Sequence, residues 1–204
     1  SNSNLNILRV LGRLGAGTDV VSGGELLKAL KAGIKTKKIV FSGVGKTEEE
    51  LRLAINKNIL LINCESESEA KLVNNLAKKL RKKVSIGFRL NPNVDAKTHK
   101  NISTGKAENK FGLSIKSFKI FLKTINSLKN IKLDALSVHI GSQILNDAPF
   151  RKTLSVMSKL IKELRLNLNY VDLGGGFGIN YTNKERPINL NKYSKLVENF
   201  SKKL

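Results

Sequence analysis

The strongest constraint on this chain is a rhythm. Strand-type and helix-type segments alternate six times along its 204 residues, with short links and no antiparallel hairpin signal. Parallel strands need crossovers long enough to hold a helix, so the alternation predicts βα units on a parallel sheet, an α/β fold. A barrel and an open doubly wound sheet both fit. Six units are too few for a closed eightfold barrel, so a barrel reading requires further pieces.

Local signals place the elements. Leu5, Ile7, Leu8, Val10 and Leu11 recur at helical spacing within residues 4–14, behind Asn4 as N-cap. Asp19-Val20-Val21 predicts a short strand. Ser22 with Glu25 predicts a capping box, opening a helix to about Ala32 that stops at Gly33. A strand at 38–41 precedes a helix opened by Thr47 with Glu50, and a strand at 59–63 precedes one opened by Ser66 with Glu69. The strand at 84–90 runs into an irregular stretch, 91–110, longer than ordinary connections. A helix at 114–128, a strand at 133–139, a helix at 147–166, a strand at 170–173 and a helix at 189–203 complete the series. No domain linker or low-complexity tract interrupts residues 1–204, which read as one domain.

Composition narrows the function classes. No stretch reaches the ~18 apolar residues of a membrane helix, and no apolar leader opens the chain, so neither a membrane partner nor secretion is indicated. The single cysteine, Cys64, cannot form an internal disulfide, which suits a reducing cytoplasm. The net charge of +21 invites a nucleic-acid partner. The lysines are scattered, however, and the 5% of aromatics do not interleave with them, so they read as a solvated face and no nucleic-acid partner is expected. His99 and His139 are the only histidines and form no Cys/His cluster, so no metal site is expected.

Polar residues gather after the strands: Ser22, Ser42, Asn63, Asn91, His139 and Gly174. Both parallel folds place ligands there. The segment Tyr170-Val171-Asp172-Leu173-Gly174-Gly175-Gly176-Phe177-Gly178 breaks from an apolar strand into three glycines. Such a turn serves either as an anion cradle of backbone N–H groups or as a tight strand-to-helix link. His139 ends a strand, where it can stack on a planar ligand, act as an acid or base, or satisfy a buried hydrogen bond. Asp19, Glu25 and Arg89 each lie at or just after a strand, and for Glu25 the helix cap is the stronger reading. Ser42-Gly43-Val44-Gly45-Lys46-Thr47 imitates a nucleotide-binding loop, but the pattern needs glycine where Val40 stands, so that reading is rejected.

Taken together, these segments resemble the alanine-racemase-like, fold-type III pyridoxal-phosphate (PLP) decarboxylases. The resembling stretches run in order: Gly15-Ala16-Gly17-Thr18-Asp19 to Gly23-Gly24-Glu25-Leu26; residues 38–47; Arg89-Leu90-Asn91-Pro92; Ile102-Ser103-Thr104-Gly105 with Asn109-Lys110-Phe111-Gly112; His139-Ile140-Gly141-Ser142-Gln143; and Asp172 to Gly178. The Ile-Ser-Thr-Gly segment and Gln143 are similar to the diaminopimelate branch rather than to the ornithine or arginine branches.

The resemblance implies a (β/α)₈ TIM-type barrel with PLP at its carboxyl end, followed by a β domain. It implies decarboxylation of meso-2,6-diaminopimelate to L-lysine and CO₂ by a cytoplasmic homodimer. A related decarboxylase of ornithine, arginine or carboxynorspermidine, or a non-catalytic PLP-fold binding protein, is the alternative. By resemblance, His139 stacks on the cofactor ring, and Ser142 with Gly174, Gly175 and Gly176 holds its phosphate. Asp19, Glu25 and Arg89 form a charged group around the cofactor, and the 95–110 loop closes over the substrate. The chain begins Ser1-Asn2-Ser3-Asn4-Leu5, so the family's Schiff-base lysine is expected immediately before Ser1. The chain then corresponds to about units two to seven of the barrel, without the C-terminal β domain, and by itself is expected to be inactive.

Overall fold

The computed structural model describes residues 2–94, 111–181 and 187–204. Helix α1 (Leu5–Arg13) leads into β1 (Thr18–Val20), α2 (Gly23–Lys31), β2 (Ile39–Phe41), α3 (Glu48–Asn56), β3 (Leu61–Cys64) and α4 (Glu67–Lys79). The series continues through β4 (Val84–Asn91), β5 (Leu113–Ser114), α5 (Ile115–Ile125), β6 (Ile131–Val138), α6 (Ala148–Glu163), β7 (Tyr170–Asp172) and α7 (Leu190–Ser201). The two-residue β5 carries too little pattern to be seen in the sequence. The predicted loop at 95–110 lies outside the described residues.

Every strand pair is parallel. The sheet runs β1-β2-β3-β4-β6-β7, with β5 beside β4. The order never reverses, so the switch point of a doubly wound sheet is absent among the described strands. Curvature decides the rest. Asn63 on β3 donates from Nδ2 to Asp172 Oδ2 on β7 at 2.9 Å, although β4 and β6 stand between them. Three steps of about 4.8 Å would separate those strands by about 14 Å in a flat sheet. The sheet is therefore curled into a part-barrel, as the family resemblance implies; the alternation of βα units alone fits an open doubly wound sheet equally well.

Strand alternation sorts residues between two faces. Val20, Phe41, Ile62, Ile86, Phe88 and Leu136 belong to the main apolar core, and Phe88 packs edge-on against Phe121 of α5. The registers Asn63↔Gly87, Gly87↔Ala135, Arg89↔Ser137 and Ser137↔Asp172 put the polar and small residues together on the lumen face. The β4–β6 register slips between Ile86 and Gly87, pairing Ile86 with Leu133 and Gly87 with Ala135, so Asp134 is the extra residue of a bulge. Its carboxylate is buried and accepts from Ser85 Oγ and Asn169 Nδ2.

The capping signals hold, with one correction. Thr47 and Glu50 form the full box. Ser22 accepts from Glu25 N, but the Glu25 carboxylate bonds to Val21 N, one residue before the cap. Ser66 and Glu69 repeat this shift, with Glu69 bonded to Glu65 N. The cap conformation separates the cases: Ser22 and Ser66 are fully extended, at φ −155° and −151°, whereas Thr47 sits at −74°. Extension turns the cap's own N–H away and brings the preceding one within reach.

Candidate functional site

The carboxyl ends of the strands surround an open cleft of about 480 Å³, lined by Asp19, Ser42, Arg89, Ser137, His139, Asp172, Gly174 and Gly175 among others. A polar network forms its floor. Asp172 Oδ2 accepts from Asn63 Nδ2 and Ser137 Oγ, each at 2.9 Å, and Oδ1 accepts from Gly174 N at 2.9 Å. Asn63 Nδ2 also donates to Ser42 Oγ at 3.0 Å, and the Ser42 hydroxyl bonds to Asp19. Gly87 makes this possible, because a Cβ there would lie 2.2 Å from Asn63 Oδ1.

Asp19 keeps solvent contact as a residue, but protein crowds its carboxyl. Loss of hydration pushes its pKa up to about 6, against the Ser42 hydrogen bond and Lys46 and together with the charges of Asp172 and Glu25. His139 follows β6 and accepts from Gly175 N on Nδ1 at 3.2 Å. Burial first, and then the Arg89 cation, hold its pKa below the usual histidine value, with Asp172 and Glu65 acting in the opposite sense.

The glycine turn is pressed against the segment after β6. Gly174 and Gly176 have φ of 66° and 94°. A Cβ on Gly174 would lie 2.4 Å from Val138 O, and one on Gly176 1.9 Å from Gly141 O. Gly175 faces open space, with no atom within 4 Å of a Cβ position. The turn brings Gly176 beside Ser142, whose Cα lies 3.3 Å from that Cβ position and which is exposed. The N–H groups of Gly174 and Gly175 are bonded inside the protein, to Asp172 and His139. The Gly176 N–H makes no hydrogen bond among the described residues. An exposed hydroxyl and an open N–H side by side suit a phosphate group.

The structure thus gathers Asp19, Arg89, His139, Gly174 and Gly175 around one cleft, with Gly176 and Ser142 at its glycine side. Glu25 is not among them. It bonds to Val21 N and lines, with Asp19, Asn2, Ser3 and Lys28, a smaller cavity of about 190 Å³. Lys46, in the loop that imitates a nucleotide-binding motif, is buried and turned inward. Its Nζ donates to Gly43 O, Asn63 O and Glu69 Oε1 at 2.6, 2.7 and 2.7 Å.

Four contributors escaped the sequence reading as site residues. Asn63, Ser137 and Asp172 form the floor, and their signal is polar character at lumen positions of otherwise apolar strands. Glu65 pairs with Arg89 at 2.8 Å. It was hidden beside the Ser66 cap, where an acidic residue reads as helix-start chemistry. Among the described residues, no group of three or more His, Cys, Asp or Glu could hold a metal ion, and no helix is long and apolar enough to cross a membrane.

Known proteins share the sequence pattern and the fold of this chain. The family model described as pyridoxal-dependent decarboxylase, pyridoxal binding domain, matches residues 1–204. Diaminopimelate decarboxylase of Campylobacter jejuni is 46% identical over 198 residues, covering 95% of this chain and 49% of the relative. The Helicobacter pylori J99 enzyme is 47% identical over 191 residues, covering 91% of this chain and 46% of its own. The crystal structure of diaminopimelate decarboxylase from H. pylori, complexed with L-lysine, superposes with a TM-score of 0.93 at 41% identity, over 98% of this chain and 51% of that one. The chain spans about half the length of the curated relatives it matches. It belongs to the pyridoxal-dependent decarboxylases and falls within their pyridoxal-binding domain.

Proposed function

We propose that the full-length protein decarboxylates meso-2,6-diaminopimelate to L-lysine and CO₂, using PLP, as a cytoplasmic homodimer. The observation that carries this reading is likeness across nearly the whole chain to diaminopimelate decarboxylases, one of them crystallised with L-lysine.

The cleft supports it residue by residue. PLP, when bound, supplies an electron sink for the pair left behind as CO₂ departs. The Ser142 hydroxyl and the Gly176 N–H are the donors suited to its phosphate, and Gly175 between the two packed glycines opens to free space. His139, held by Gly175, presents its imidazole to the cleft as a ring platform. Arg89 supplies a fixed cation there. Asp19, titrating at about 6, can hold or release a proton near neutral pH. The Asn63–Asp172–Ser137 floor keeps the glycine turn and the strand ends in register. Glu25 acts from the adjacent cavity, through its charge on Asp19.

The test is CO₂ release by the full-length protein, with PLP, from meso-diaminopimelate beside ornithine and arginine. Release from diaminopimelate above the other two is expected. Preference for ornithine or arginine would overturn the substrate assignment, and no release from any would overturn the activity.

A further inference from the structure

Glu65 lies one residue past β3 and belongs to none of the motifs that carry the family resemblance. Its side chain is only 7% exposed, and that of Arg89 is 14% exposed. Glu65 Oε1 accepts from Arg89 Nη1 at 2.8 Å, and Oε2 accepts from Gly112 N at 2.9 Å. The Phe111 ring lies 5.1 Å from the guanidinium carbon. Gly112 has a φ of 76°, and a Cβ there would lie 2.8 Å from Arg89 O. A carboxylate, an aromatic ring and the Gly112 backbone therefore bound the arginine together. A free arginine samples many rotamers, and these contacts select the one that lines the cleft with His139.

We propose that Glu65 is the positioning residue of Arg89: it fixes the guanidinium at the cleft wall and so sets the charge that His139 meets. This rests on reading the cleft as the cofactor site. Among the described residues, the charged groups acting on His139 include Arg89 on β4, Glu65 after β3 and Asp172 on β7, and Asp19 on β1 lines the same cleft. Arg89 opposes protonation of His139, while Glu65 and Asp172 favour it.

The substitution Glu65→Gln separates position from packing. A carboxylate accepts on both oxygens, but an amide has one acceptor and one donor end. Its NH₂ must face either the guanidinium or the Gly112 N–H, donor against donor, so the clamp opens at one side. The experiment follows the His139 imidazole by NMR in the full-length protein, using His139→Gln for assignment. Glu65→Gln is expected to move the His139 midpoint by about half a pH unit. In an Arg89→Met background that shift should shrink to the part that the Glu65 charge exerts on His139 directly. In the PLP-loaded enzyme kcat should fall about tenfold, from misplacement of a cleft residue. Glu65→Asp, which keeps the charge with shorter reach, should recover part of both effects.

An unmoved His139 midpoint would overturn the proposal, as would an equal shift with and without Arg89. If Glu65→Gln does not fold, Glu65→Asp must show the same Arg89-dependent shift at smaller amplitude, and its absence would sink the idea. The imidazole readout needs no substrate, so failure of the diaminopimelate assignment would leave this result standing.

Discussion

Gly175 donates its backbone N–H to Nδ1 of His139 at 3.2 Å, tying the glycine turn to the ring it faces. An N–H donor on Nδ1 leaves the proton of the neutral imidazole on Nε2. Protonating Nδ1 would break this bond, while burial and Arg89 already disfavour the cation. Nitrogen shifts of His139 are therefore expected to show the Nε2–H tautomer, with a midpoint below 6.5. The sign for stability follows. Below 6.5 the unfolded chain binds the proton more readily, so His139 lowers stability as pH falls through that value. A midpoint at or above 6.5 would contradict the arrangement.

The two glycines beside that bond should respond oppositely to alanine. Gly175 faces open space and lacks a left-handed φ. Gly175→Ala should leave the apo protein unchanged or stabilise it by about 0.5 kcal/mol, through the unfolded chain. If the phosphate sits on this surface, the added methyl should weaken PLP binding about tenfold or more. Gly176→Ala drives a Cβ into Gly141 O, at 1.9 Å, and should both destabilise the turn and lose PLP. Urea unfolding and a PLP absorbance titration separate the two. Unchanged PLP affinity in Gly175→Ala would move the phosphate elsewhere.

Asp19 gives a second pH signature, opposite in kind. Its pKa is pushed up to about 6 from 3.8, first by lost hydration. Between those values the folded chain holds a proton that the unfolded chain has released, so this contribution to stability falls as pH rises across that window. Asp19→Asn should flatten the stability profile there while leaving the slope outside the window intact. Denaturant midpoints taken at half-unit steps from pH 4 to 7 test it, and an identical profile in the variant would refute the assignment.

What could be read from sequence divides along a physical line. Local contacts announce themselves: Ser22, Thr47 and Ser66 cap because a hydroxyl reaches an amide three residues on, and Gly33 stops α2 because φ of 84° suits glycine. The glycine turn and His139 were visible as strand-end chemistry. The Asn63–Asp172 bond was not, since 109 residues separate its ends and only the curl of the sheet joins them. The bulge at Asp134 is likewise invisible, because it is a slip between two strands rather than a property of either. Glu25 shows the converse: its capping signal was legible, but which N–H it bonds depends on the φ of Ser22.

Lys46 tests whether a motif look-alike is structural. Its Nζ is enclosed by Gly43 O, Asn63 O and Glu69, with the lysine side chain 1% and the glutamate 12% exposed. One cation thereby holds the β2–α3 loop to the end of β3 and to α4. Lys46→Met removes the charge and strands a largely buried carboxylate and two carbonyls, a loss of about 3–5 kcal/mol. Adding Glu69→Gln removes the orphaned charge as well, so the double variant should be more stable than the sum of its singles by about 1–3 kcal/mol. The Asp19 midpoint should rise in Lys46→Met, because the lysine holds it down. PLP affinity of the folded fraction should change little, since the ammonium points into the protein rather than toward the cleft. A large loss of PLP binding with unfolding midpoints unchanged would instead return this loop to a phosphate-binding role.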